Sequence, residues 1–257
     1  MADAASSNNF DVQSALDGVG SLLRSLTNQA IKKGVVELPG TVHVFDAFQF
    51  VGNELRYNPP SSTTLELSLL AYAASQGNCA EVEILLLASK AKKQPGKDYD
   101  GMFCSVLDKA LDEALFLAHF YGHKDVAEQL LRYGAKPGVE TSVHCGIHGA
   151  AGRGQRDEII KYITTCRVEP DVDDRSGGTP VIYAMSLDSP HDWNTIKLLF
   201  QLEANTQAKL GAGRLEKFWS YPDFARAMGK EDLAKKIEQA IVLDKSQKEM
   251  PDYDLID

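Results

Sequence analysis

The chain has 257 residues, of which 44% are apolar and 25% charged, with a formal charge of −9. That composition excludes wholesale disorder, and the length suffices to bury a substantial core. The acidic excess argues against binding nucleic acid or an anionic membrane through bulk electrostatics.

From the N-terminus, Met1–Phe10 is polar and lacks an apolar stretch behind a basic start, so no secretory signal is expected. No uncharged run approaches the ~18 residues that span a bilayer. The expectation is an intracellular protein, cytoplasmic or nuclear. Cys79, Cys104, Cys145 and Cys166 are widely spaced, which fits reduced thiols. Between Val12 and Lys33, apolar residues at Val12, Leu16, Val19, Leu22, Leu23, Leu26 and Ile31 recur near a helical period. Gly34–Gly40 and Val42–Phe50 read as extended or loop-like, and Asn58-Pro59-Pro60-Ser61-Ser62 breaks the pattern. Residues 1–64 are therefore read as an N-terminal helical cap or degenerate repeat. A lid over the face of the following domain is the sharper alternative.

From residue 65 a phrase recurs five times: small residues, a Gly or its substitute, then an acidic-apolar helix. It begins at Ala73, Ala118, Ala150, Ala184 and Ala225, in steps of 45, 32, 34 and 41 residues. Paired small residues allow close helix packing, and the Gly allows a positive φ at a tight turn. Acidic residues opening the second helix favour its dipole. Self-similarity at such a period marks a stacked array of repeats.

Gly122-His123-Lys124-Asp125-Val126 and Tyr133-Gly134-Ala135 resemble the entry and exit of the second helix in the ankyrin repeat family. Asp171–Pro180, with its aspartates, Gly177-Gly178 and Thr179-Pro180, is similar to that family's hairpin loop and helix start. The full Thr-Pro-Leu-His signature is absent, although His148 and Thr179-Pro180 keep parts of it. The resemblance implies an all-α, ankyrin-like helical-pair solenoid of about five diverged repeats over 65–243. An N-terminal helical cap layer precedes it, and 244–257 is an acidic, flexible tail. Three regions depart from the pattern: the N-terminal segment, the insertion Gln94–Gly101 and the Gly-rich Gln207–Leu215.

Candidate chemistry is sparse. His144 and His148 are four apart, but the glutamate of a zinc-protease motif is missing. A pair between Cys145 and a neighbouring histidine is conceivable, yet adjacent residues diverge on a helix. His119 and His123 flank the Gly122 turn. Asp171, Asp173 and Asp174 lack the Gly and bidentate Glu of a calcium loop and read as turn residues. No catalytic, cofactor-binding or metal-ligating residue is assigned, and no cofactor is expected.

The resemblance places first helices and their preceding loops on a concave face. Phe116, Tyr183, Trp219 and Tyr221 are accordingly the candidate binding residues, read as exposed aromatic anchors. The function expected is a non-enzymatic scaffold using that face and the loop tips. Its partner would be a protein, basic or amphipathic in view of the chain's acidity, with neither nucleic acid nor membrane involved and a small molecule still open. The alternative is a small-molecule cyclase, isomerase or transferase, its pocket lined by residues such as His43, Tyr72, His119 and His148.

Overall fold

A computed structural model describes residues 21–22, 25–26, 28–51, 54–92, 101–138, 145–174, 176–211 and 218–248. His144, residues 94–100 of the insertion and residues 212–215 of the Gly-rich segment lie outside these residues, as does the chain beyond 248.

Among the described residues, five helical hairpins follow one another from residue 69. They are α1 (Leu69–Ser75) with α2 (Cys79–Lys92), α3 (Gly101–Tyr121) with α4 (Lys124–Arg132), and α5 (Gly146–Gly152) with α6 (Arg156–Thr164). The series continues with α7 (Pro180–Ala184) and α8 (His191–Gln201), then α9 (Tyr221–Ala227) and α10 (Glu231–Lys248). First helices pack on first helices in chain order, α1 on α3, α3 on α5, α5 on α7 and α7 on α9. Second helices touch on the other side, α2 with α4, α6 with α8, and α8 with α10.

Local chemistry explains the starts and turns. Ser68 Oγ accepts from the Ala71 amide at 3.2 Å and caps α1. Pro180 opens α7, where its missing N–H costs nothing. Gly77, Gly122, Gly154 and Gly229 turn the chain between paired helices at φ of +70°, +87°, +67° and +75°. Ala74, Ala118, Ala150, Ala151, Ala184 and Ala225 are all completely buried between helices. A Cβ on Gly149 would collide with the Phe116 carbonyl oxygen, so α5 can approach α3 only through glycine.

The expectation of an all-α solenoid is overturned by three two-stranded antiparallel sheets among the described residues, although 28–31 of the N-terminal layer are helical. β1 (Lys33–Pro39) pairs with β4 (Ser62–Ser68), in register from Lys33 opposite Ser68 to Pro39 opposite Ser62. β2 (Phe48–Val51) and β3 (Glu54–Tyr57) form a hairpin, and β5 (Lys209–Leu210) meets β6 (Trp219–Ser220). The physical cause is β-propensity: Val35-Val36 and Thr63-Thr64 favour a pleated chain. Cross-strand bonds add to it, Ser62 Oγ donating to Glu37 at 2.5 Å and Thr63 Oγ1 to the Gly40 carbonyl at 2.8 Å. β4 runs directly into α1, so position 64 falls inside a strand.

Between β1 and β4 the chain forms an aromatic strap, residues 42–57, comprising one 3-10 turn (Phe45–Ala47) and the β2–β3 hairpin. Val42, Val44, Phe45, Ala47 and Phe48 are buried, and Tyr121 Oη fixes the strap's entry by donating to the Pro39 carbonyl at 2.9 Å. The strap lies against first helices rather than second ones. His43 stacks on Phe116 of α3 with ring centroids 6.5 Å apart, and Phe45 reaches both the Gly177-Gly178 loop and Phe224 of α9. Phe50 meets Trp219 of β6 at 4.9 Å.

Candidate functional site: a filled inner face and an open outer cleft

The strap decides where the expected binding residues lie. Phe116 is 1% exposed, Tyr183 and Tyr221 0% and Trp219 4%. None is a surface anchor. Phe116 is enclosed by His43, Phe120 and Tyr183, while Trp219 is covered by Phe50. Tyr183 Oη donates to Asp174 Oδ2 at 2.7 Å, and Tyr221 shares a 2.9 Å hydrogen bond with Thr179. Aromatic residues on first helices satisfied the composition of a binding face. Phe116 and Trp219 pack instead against the strap, a contact that carries no local sequence signal, and Tyr183 and Tyr221 against neighbouring helices and loops.

The histidines are equally committed. His119 Nδ1 lies 2.5 Å from Gln155 Oε1, an oxygen that can only accept, so Nδ1 carries the proton. Nε2 of the neutral ring then accepts from Tyr162 Oη, also at 2.5 Å. Burial holds the His119 pKa at about 4, against the favourable hydrogen bond to Gln155. His148 is fully buried; its Nδ1 accepts from the Cys145 amide at 3.2 Å and its Nε2 donates to the Val172 carbonyl at 2.9 Å. Burial likewise lowers its pKa to about 4. Nδ1 is thereby committed to the Cys145 amide, and the two residues close a capping box at the start of α5. His123 Nε2 donates to the Ser75 carbonyl at 3.0 Å, tying α4 to the preceding hairpin.

Aspartates of the 171–174 turn serve the chain itself. Asp174 accepts from the Ser176 and Gly178 amides at 2.9 and 2.7 Å, and Asp171 from the Asn205 amide at 2.8 Å. Burial raises the Asp174 carboxyl above its ordinary range in spite of its donors. Among the described residues, no group of three or more His, Cys, Asp or Glu is placed to hold a metal ion. Among the described residues, Cys79, Cys145 and Cys166 form no disulfide.

The pocket proposed for an enzyme is not assembled from its four expected residues. A cavity of about 170 Å³ lies where the strap, the β1–β4 sheet and α3 meet. His43 reaches it, together with Glu113, Lys33 and Phe116. Burial raises the Glu113 carboxyl, opposed by Lys33 at 3.6 Å, and burial lowers the His43 imidazole, opposed by Asp46 and Asp174. His119 and His148 are interior, and Tyr72 borders a separate groove beside Lys32 and Val36.

The more spacious depression is an open cleft of about 500 Å³ on the side of the second helices. Lys124 opens α4, Arg156 and Asp157 open α6, and Asn194, Lys197 and Gln201 come from α8. Ile160 and Leu198 supply its apolar part. Sequence reading passed over these residues because each looks like an ordinary solvated helix position; only the stacking of α6 beside α8 brings them together.

Among the described residues, no helix is long and apolar enough to cross a membrane. No protein-family model matches the chain, and no curated protein matches it either.

Proposed function

We propose that the protein is a non-enzymatic interaction module, built from diverged repeats that resemble the ankyrin family, and that it engages a protein partner through its loop tips and outer cleft. The observation that carries this reading is the distribution of free space. The inner face is filled by residues 42–57, whereas the outer cleft stays open at about 500 Å³ across three successive hairpins. Support also comes from the histidines at 119 and 148, whose ring nitrogens are all engaged in structural hydrogen bonds. The cavity at His43, about 170 Å³, falls below the roughly 300–1,000 Å³ of pockets that enclose small-molecule ligands. An enzyme is accordingly the weaker reading.

Site-specific photo-cross-linking in cells tests it. A photoreactive side chain at Gln201, on the cleft rim, is expected to capture a defined protein. The same group at Glu54, in the β2–β3 hairpin, is expected to capture none. Absence of any adduct from the cleft and from the turn at Gly122 would refute the reading.

A further inference from the structure

We propose that the outer cleft receives an extended acidic peptide segment carrying an aliphatic side chain, an inference that rests on the interaction reading and specifies its partner. Lys124, Arg156 and Lys197 come from three successive hairpins and are all exposed. Among the described residues none of the three makes an ion pair. Three cations and two carboxylates, Asp157 and Glu158, line the cleft, and Glu158 lies 3.6 Å from Lys161, which is outside the lining. The cleft is therefore locally positive on a chain whose formal charge is −9.

The helix starts do not call for these cations. Lys124 and Arg156 are the first residues of α4 and α6, where a cation opposes the helix dipole. Asp125, Asp157 and Glu158 in the same first turns offset that cost, so the cations add nothing to the helix starts themselves. Ile160, 39% exposed, and half-buried Leu198 form an apolar floor between the charges. Asn194 and Gln201 offer amide donors and acceptors to a peptide backbone. A carboxylate-bearing segment matches the cations, and its aliphatic side chain matches the floor. The acidity of the remaining surface repels such a segment elsewhere, which confines it to this cleft.

The test is fluorescence anisotropy with the full chain and a dye-labelled octapeptide alternating glutamate and leucine, beside its lysine–leucine counterpart. The acidic peptide is expected to bind saturably, at least ~10-fold tighter than the lysine peptide, and to weaken as ionic strength rises. Arg156→Glu and Lys197→Glu are each expected to weaken it ~10-fold or more, with an unchanged melting temperature. Equal or tighter binding of the lysine peptide, or no effect of both charge reversals, would overturn the proposal. Capture of a protein at Gln201 by a chain that ignores the acidic peptide also overturns it, while leaving the interaction reading in place. Peptide binding without any cellular capture supports the cleft's specificity and removes the interaction reading instead.

Discussion

Phe48 meets Phe224 edge to face, with ring centroids 4.8 Å apart and planes at 84°. One ring belongs to the strap near the start of the chain and the other to α9 near its end. Edge-to-face geometry sets the positive rim of one ring against the negative face of the other, adding to the apolar area both remove from water.

Phe48→Ala is expected to cost about 3–5 kcal/mol of stability, through lost burial and the cavity left under the strap. Chemical denaturation followed by tryptophan fluorescence measures it, because Trp219 lies beside Phe50 of the same hairpin. A loss below about 1 kcal/mol would show that the strap is not packed as described.

Trp219→Ala is expected to act on stability by a similar ~3–5 kcal/mol. The side chain is 4% exposed, so its loss opens a void rather than stripping a binding surface. Thermal unfolding checks this directly.

Ala150→Leu is expected to destabilise by overpacking, by about 1–3 kcal/mol or more. Ala150 is completely buried on α5, one residue from Gly149, where α5 already approaches α3 at backbone distance. An unaltered melting temperature would mean that α5 does not contact α3 in this register.

Acidification should weaken the fold through His119 and His148. Their folded pKa of about 4 lies below the ordinary 6.5, so between those values the unfolded chain binds protons that the native state refuses. The stability this contributes is complete above pH 6.5 and drains away as pH falls toward 4, at up to about 1.4 kcal/mol per pH unit for each histidine. Buried Asp174, whose carboxyl is raised, slopes the opposite way. Comparing denaturation of the native chain with His148→Gln at pH 7, 6 and 5 (roughly the window of these shifts) isolates one histidine. The variant should show the shallower dependence on pH.

How much of this was legible in the sequence depends on the distance over which each contact acts. The alanine pairs and the glycine turns were readable, because a small residue beside a positive-φ turn is a local requirement. His148 could be read as structural for the same reason, its partners Cys145 and Val172 lying within one hairpin and the next loop. The strands were only half readable. Val35-Val36 and Thr63-Thr64 suggest extension, but their pairing spans the whole strap. Phe45, Phe48 and Phe50 fell in a stretch read only as extended or loop-like, because their partners Phe224 and Trp219 are far along the chain. That one omission moved Phe116 and Trp219 from the interior to an imagined surface. The outer cleft was unreadable in the same sense, since Lys124, Arg156 and Lys197 become neighbours only after three hairpins have docked.

The strap also changes how the molecule comes apart. In an open row of hairpins each unit answers only to its neighbours, and the end units fray first. Here the last hairpin is bolted to the beginning of the chain through Phe45 and Phe48, so loosening α9 strips the cover from α3 as well. Terminal units gain a long-range tether, at the cost of slower closure because distant segments must find each other. So tethered, the row is expected to melt as a single cooperative body.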